Sequence, residues 1–78
     1  MPSAYPPHDW VLTRRRRVGQ RIRAVRQDQQ RTQEAVALVA GIDRPSLVRI
    51  EAGQQSPSLD TLIRLAAALD VELSALVL

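Results

Sequence analysis

Arginine is the residue type in this chain that could bind a polyanion. All eleven basic residues are Arg, and eight of them lie between residues 11 and 31 against one Asp, a net charge of +7. The planar guanidinium binds phosphates and base edges through paired hydrogen bonds. A positive field concentrated in one part of a chain favours a polyanionic partner, most simply nucleic acid.

Residues that serve enzymes and metal sites are scarce. The chain has one His and no Cys, which excludes a disulfide scaffold and a thiolate zinc site. His8 stands alone, so we expect no metal site there, and we expect no cofactor. No pair of carboxylates is placed in an evident pocket. The composition therefore predicts a binding protein rather than an enzyme.

Length and composition predict one small helical domain. The chain has 78 residues, of which 45% are apolar, with no Phe, one Trp and one Tyr. An aliphatic core rich in Ala, Leu and Val is typical of packed helices. No apolar run approaches the roughly 18 residues that span a membrane, and no apolar stretch indicates a secretory signal. We therefore expect a cytoplasmic protein with no membrane partner.

The chain divides into a short arm and a helical domain. Residues 1–9 hold three Pro and predict a flexible, extended N-terminal arm, with the domain over 10–78. A first helix is predicted over about 10–29, because Val18, Ile22 and Val25 form one apolar stripe. Trp10 is expected to pack against this helix.

Capping residues predict three further helices. Thr32, Asp43 and Ser58 are N-cap candidates, and Gly41 and Gly53 are placed to end the second and third helices. A fifth short helix is predicted over about 72–77. The second and third helices are short and joined by about three residues, which is the spacing of a helix-turn-helix.

Four stretches in register carry a resemblance to a known family. They are IRAVRQ (22–27), TQEAVALVAGI (32–42), RPSLVRIEAG (44–53) and SPSLDTLIRLAAALDVELSAL (56–76). From residue 18 to residue 76 the chain resembles the phage-repressor and Cro-like helix-turn-helix family, also called XRE. The resemblance implies an all-α, five-helix lambda-repressor-like bundle whose third helix (about 44–52) reads the DNA major groove, usually as a dimer on paired half-sites.

The resemblance also implies a set of DNA-binding residues. The third helix supplies the groove-facing positions, the start of the second helix a phosphate-contacting Gln, and the loop after the third helix further backbone contacts. An Arg bonded to guanine O6 and N7 discriminates by about 1–3 kcal/mol. The residues are Gln33, Arg44, Pro45, Ser46, Val48, Arg49, Gln54, Gln55 and Ser58.

Each of these roles has a simpler alternative. Arg44 and Arg49 could be solvated surface charges, Ser46 could bond only to a local backbone group, and Gln33 could merely start a helix. Of the four consecutive Arg from 14 to 17, at most two share a helical face. That run could contact phosphates or form an ordinary solvated face.

The resemblance further implies an ion pair between Arg26 and Glu51 that fixes the third helix against the first. An exposed pair would contribute less than about 1 kcal/mol, whereas breaking a buried one would cost about 3–5 kcal/mol.

Three departures from the family pattern qualify the match. Val48 replaces a usual small polar residue on the exposed side of the third helix, so it could contact a thymine methyl or weaken a phosphate contact. Gln30 and Arg31 stand where the family often has Gly then Leu, so the first turn could differ. Leu38 and Val39 stand where it usually has charged residues. One of the two could be exposed, and an exposed apolar patch can mark a partner surface.

The predicted function is that of a sequence-specific transcriptional regulator that binds double-stranded DNA. A homodimer is expected, with a candidate surface of Ile63, Leu73, Leu76, Val77 and Leu78. One alternative is an antitoxin or partner-binding regulator that meets a protein such as a toxin. Another is an Arg-driven, non-specific nucleic-acid binder, which would show a steep salt dependence without sequence preference.

Overall fold

A computed structural model describes residues 8–78, which form five α-helices and no strand. The all-α, five-helix prediction is confirmed. The first helix begins two residues earlier than predicted, so His8 and Asp9 are helical rather than part of the arm. The rest of the predicted arm, residues 1–7, lies outside the described part of the chain. The helices are α1 (His8–Asp28), α2 (Gln33–Ala40), α3 (Arg44–Glu51), α4 (Leu59–Ala68) and α5 (Leu73–Val77).

Side-chain caps begin the three central helices as the sequence predicts. The Oγ1 of Thr32, the carboxylate of Asp43 and the Oγ of Ser58 each accept the backbone N–H three residues later, at 3.0, 3.2 and 3.1 Å. Each bond satisfies a donor that the first turn of a helix leaves unpaired. The start of α5 at Glu72 has no such side-chain cap.

Helices α1 to α4 all end in the same left-handed turn. Gln30, Gly41, Gly53 and Asp70 have positive φ, and the residue after each donates its N–H to a carbonyl five residues earlier. This is the Schellman arrangement that glycine favours. Gln30 adopts it with φ 57°, at a cost of about 1–2 kcal/mol for a residue with a Cβ.

The turn between α1 and α2 is tied to the end of α4. Gln29 donates its Nε2–H to the carbonyl of Leu69, and Arg31 donates its Nη1–H to the carbonyl of Ala68, both at 2.6 Å. These bonds satisfy carbonyls that the last turn of a helix leaves without partners. Arg31 therefore caps α4, a role that Leu could not fill.

The core lies where all five helices meet. Ile22 of the predicted α1 stripe is fully buried, and Val18 and Val25 pack at the edge of the core. Leu76 is also fully buried, so its assignment to the dimer surface is wrong, and Leu73 is half-buried against the core. The short α5 packs on α1 and α4. Leu76 is therefore buried within its own chain and does not face a second copy. No helix of the described part is long and apolar enough to cross a bilayer.

Gly19 allows α1 to cross closely over the end of α3. A Cβ built on Gly19 would lie 2.2 Å from the carbonyl oxygen of Ile50 and 2.8 Å from that of Glu51. A glycine in a helix interior is ordinarily destabilising. Here it lets the two backbones touch, which fixes where α3 lies relative to α1.

Candidate nucleic-acid interface

One face of α3 is open to solvent. Arg44, Pro45, Val48 and Arg49 line a shallow groove along that face, and all four are exposed. The opposite face of α3 is anchored in the core. The structure thus brings four of the predicted residues together on the side of the helix that a partner can reach.

The guanidinium of Arg49 is held by a chain of exposed polar side chains. Its Nε–H donates to Gln55 Oε1 at 2.9 Å, and its Nη2 approaches Ser46 Oγ at 3.4 Å. The Ser46 hydroxyl donates to Asp43 Oδ1 at 2.6 Å. We call these four residues, Asp43, Ser46, Arg49 and Gln55, the exposed chain. Arg has five N–H donors, so several remain for an acceptor beyond the protein.

Asp43 supplies the carboxylate at one end of the exposed chain. The hydroxyl and the backbone N–H of Ser46 donate to its carboxylate and hold the pKa of Asp43 below its usual value, with a smaller contribution from the charge of Arg49. Since the hydroxyl of Ser46 donates its proton to Asp43, it offers a partner outside the protein mainly its acceptor oxygen.

A second set of polar groups lies between α1, α2 and α3. The Nε–H and Nη2–H of Arg26 donate to the two carboxylate oxygens of Glu51 at 2.8 and 3.0 Å. The Nη1–H of Arg26 donates to the carbonyl of Arg31 at 2.8 Å, and Gln33 Nε2 donates to Glu51 Oε1 at 3.1 Å. We call Arg26, Glu51 and Gln33 the buried cluster.

The buried cluster confirms the predicted ion pair. The side chains of Arg26 and Glu51 are 11% and 3% exposed. The hydrogen bond to Glu51 raises the pKa of Arg26 above its usual value, against the opposing effect of burial. A bidentate pair this well shielded fixes α3 to α1 and leaves neither residue free to read bases.

Gln33 belongs to the buried cluster and also stands at the exposed start of α2. One N–H of its amide is used by Glu51, and the other remains available. Gln33 is also the first residue of α2, where backbone N–H groups point out of the helix and attract anions. The buried cluster therefore orients a side chain next to a favourable place for a phosphate.

Comparison with known proteins identifies the family. The helix-turn-helix family profile matches residues 22–76. The chain belongs to the phage-repressor and Cro-like helix-turn-helix family. It is 43% identical over 60 residues to the immunity repressor protein of Bacillus phage phi105, a match that covers 77% of this chain and 42% of that protein. The chain thus spans about two fifths of the length of that relative.

Solved structures of regulators share the fold. The restriction-modification controller protein C.AhdI from Aeromonas hydrophila superposes with a TM-score of 0.77 and 38% identity, covering 78% of this chain and 92% of that one. A hypothetical transcription factor from Neisseria superposes with a TM-score of 0.79 and 27% identity, covering 100% of this chain and 87% of that one. By name these proteins are a repressor, a controller protein and a transcription factor, and none is an enzyme.

In the loop after the helix-turn-helix, two of the three predicted DNA-binding side chains are already hydrogen-bonded within the protein. Gln55 is engaged by Arg49, and the hydroxyl of Ser58 caps α4 and donates to Thr61 Oγ1 at 3.0 Å. Gln54 is exposed and has no side-chain hydrogen bond among the described residues. Of the three predicted loop residues, Gln54 is the one with a side chain uncommitted in this part of the chain.

Arg23 lies at the helix-turn-helix surface although the sequence analysis did not select it. It is exposed and lines an open groove together with Gln33 and Val48. Its spacing in the sequence could have predicted this position. Arg23 precedes the ion-paired Arg26 by three residues, and residues three apart are neighbours on one helical face.

Two apolar features lie outside this surface. Leu38 and Val39 are 79% and 65% exposed on α2 of the helix-turn-helix, so both contribute to the apolar patch that the sequence suggested. Trp10 is 46% exposed, and its ring packs along α1 with the Arg14 guanidinium 5.4 Å from the ring centroid.

Proposed function

We propose that this chain is a sequence-specific, DNA-binding transcriptional regulator that reads the major groove with α3. The observation that carries the proposal is the exposed face of α3, where two Arg side chains stand on a helix fixed from behind by the buried cluster. An α-helix fits the major groove of B-DNA, and a guanidinium can bond both acceptors of guanine there.

Arg49 is the principal base-reading residue in this proposal. Gln55 and Ser46 hold two of its nitrogens, so its orientation is set before DNA arrives and little rotamer freedom is lost on binding. Arg44 reads from the first turn of α3. Pro45 and Val48 lie between the two guanidiniums and offer apolar contact to thymine methyl groups.

Phosphate contacts position α3 in the groove. The free N–H of Gln33 and the backbone N–H groups at the start of α2 bind one phosphate, and Gln54 binds the backbone from the other end of α3. These contacts fix orientation without reading sequence.

Dimerisation completes the proposed regulator. The large exposed apolar side chains of α4, of α5 and of the residue after α5 are Leu59, Ile63, Val77 and Leu78, at 62%, 50%, 38% and 75% exposure. A two-fold contact through them would remove this apolar surface from water. It would also place two copies of α3 to read half-sites about 34 Å apart.

The base-reading role is tested by DNA selection and titration. Duplexes selected by the wild-type protein from a random pool are compared with scrambled copies. We expect the selected duplex to bind at least about a hundredfold more tightly, a difference of about 3 kcal/mol, and Arg49→Ala to lose about tenfold or more of that preference. Arg64→Ala, which removes an exposed Arg on α4, should keep the preference. Equal binding of both duplexes by the wild type would favour the Arg-driven, non-specific binder instead.

The dimer is tested by sedimentation equilibrium of the wild type and Ile63→Arg. The substitution places a charge in the proposed contact, so the variant should sediment as a monomer and bind a single half-site as the wild type does. A wild-type protein that is monomeric both free and on paired half-sites would contradict the dimer.

Exposure of Leu38 and Val39 favours a second candidate, a partner-binding regulator on the same fold. The partner would cover these side chains, as in the antitoxin alternative. Leu38→Asp and Val39→Asp should then leave DNA affinity intact and abolish binding of a protein partner such as a toxin.

A further inference from the structure

The structure places three of the four consecutive Arg of α1 in different environments. Arg15 is half-buried, and its Nε–H donates to the carbonyl of Gly53 at 2.9 Å, which caps the end of α3. Arg14 stacks on Trp10. Arg16 is exposed and has no hydrogen bond or ion pair among the described residues. It lies against Gly53, because a Cβ built on that glycine would be 2.4 Å from the Cγ of Arg16.

Arg23 repeats the position of Arg16 two turns later. It too is exposed and without a hydrogen bond or ion pair in the described part of the chain. The two Arg flank Gly19, the residue of α1 that touches the last carbonyls of α3. Residues seven apart lie on one helical face, at about 10 Å along the axis. Arg16 and Arg23 therefore emerge on either side of the same helix crossing.

These two Arg border the surface proposed to meet DNA. Arg23 shares a groove with Gln33 and Val48, at the end of α2 that would bind a phosphate. Arg16 lies beside Gly53, directly before Gln54 in the loop proposed to bind the backbone. The pair thus spans the side of α3 that lies between the two proposed phosphate contacts.

The charges near this edge leave both guanidiniums uncompensated. Glu51 is the acidic residue in the groove with Arg23, and it is bonded by Arg26 and Gln33. Along α1 the acidic residues are Asp9 and Asp28, close to the two ends of the helix. Each strand of B-DNA carries one negative charge per about 3.4 Å of the helix axis, so cations about 10 Å apart can face phosphates of a single strand.

We infer that Arg16 and Arg23 form a second phosphate-binding contact on α1, alongside the helix-turn-helix, that grips the backbone of the duplex read by α3. The inference rests on the proposed function, since it takes the partner to be duplex DNA. It assigns the contact to two residues of α1 and excludes Arg14 and Arg15, whose guanidiniums are engaged within the protein.

The test compares Arg16→Gln, Arg23→Gln and the double variant with the wild type. Arg64→Gln is the matched control, because it removes the same charge from an exposed position on α4. Affinity for a selected duplex and for its scrambled copy is measured from about 50 to about 300 mM salt, a range over which each phosphate contact changes affinity measurably. Thermal unfolding of every variant is recorded alongside.

Each single α1 variant should lower affinity for both duplexes about fivefold near physiological salt. Each should also reduce the slope of log affinity against log salt concentration by about 0.9. In the double variant the two affinity losses should multiply and the two slope changes should add. The preference for the selected duplex and the unfolding temperature should stay at wild-type values. A salt slope equal to that of Arg64→Gln would overturn the inference. A loss of affinity explained by lowered unfolding temperature would overturn it as well, because the two Arg would then only stabilise the end of α3.

The same measurements separate this inference from the proposed function. If the wild type binds both duplexes equally while the α1 variants still lose salt slope, the phosphate contact stands and sequence reading fails. If the wild type prefers the selected duplex and the α1 variants match Arg64→Gln, sequence reading stands and the contact fails. A wild type that binds neither duplex overturns both.

Discussion

The buried cluster and the exposed chain each hold an Arg guanidinium by hydrogen bonds, the first away from water and the second at the surface. In the buried cluster, Arg26 and Glu51 have side chains that are 11% and 3% exposed. In the exposed chain, Arg49 bonds to Gln55 and Ser46 at the surface. Water can replace the bonds of the second grouping but not those of the first. A guanidinium therefore stabilises the fold where it is shielded and stays available to a partner where it is exposed.

The largest expected effect comes from breaking the buried cluster. Arg26→Met should lower the free energy of unfolding by about 3–5 kcal/mol, because Glu51 would keep a buried charge without its main partner. Arg49→Met, which removes a guanidinium from the exposed chain, should change it by less than about 0.5 kcal/mol. Urea unfolding measures both.

A double variant keeps this comparison decisive if the single one does not fold. Arg26→Met with Glu51→Leu replaces the ion pair by apolar side chains and should recover much of the lost stability. Similar small losses for Arg26→Met and Arg49→Met would show that the two groupings do not differ as their burial implies.

An intermediate effect is expected from moving α1 off α3. Gly19→Ala adds a methyl group that would lie 2.2 Å from the carbonyl oxygen of Ile50. The substitution should cost about 1–3 kcal/mol in spite of the higher helix propensity of Ala, because the contact is backbone on both sides. Gln20→Ala, at the next and exposed position, is the control for propensity. Thermal unfolding in which Gly19→Ala exceeds the wild type would refute the close crossing.

The smallest expected effect concerns the exposed chain and depends on pH. The pKa of Asp43 is lowered mainly by the hydroxyl of Ser46, so its stabilising contribution is present above the ordinary Asp pKa of about 3.9 and is lost as the pH falls through the lower folded value. The difference in unfolding free energy between the wild type and Asp43→Asn should be constant above about pH 5 and shrink below about pH 4. A difference that does not vary with pH would contradict the hydrogen-bonded carboxylate.

Local signals in the sequence predicted most of the fold. Thr32, Asp43 and Ser58 begin helices as caps because each bond joins residues three apart and needs no distant partner. The apolar stripe of α1 predicted its buried side for the same reason. The assignment of Leu76 to a dimer surface failed because burial of a residue in a short terminal helix depends on what α1 and α4 leave uncovered.

The candidate site was predicted in part. The residues of α3 lie together as expected, since a helix-turn-helix leaves one face of its second helix open. The engagement of Gln55 by Arg49 and of Ser58 by its own helix could not be read from their types. Arg23 was missed because its place beside Gln33 depends on how α1 crosses α3.

The sequence by itself determined where α2, α3 and α4 begin, which helix faces are apolar and that positive charge is gathered near the N-terminus. Helical period, capping and charge counting involve neighbours along the chain. The tertiary structure alone decided which Arg holds the protein together and which is free for a partner. Arg15, Arg16, Arg23 and Arg26 lie on one helix and share one side-chain chemistry. Only the approach of α3 at Gly19 separates Arg15 and Arg26, which bond within the protein, from Arg16 and Arg23, which have no such bond among the described residues.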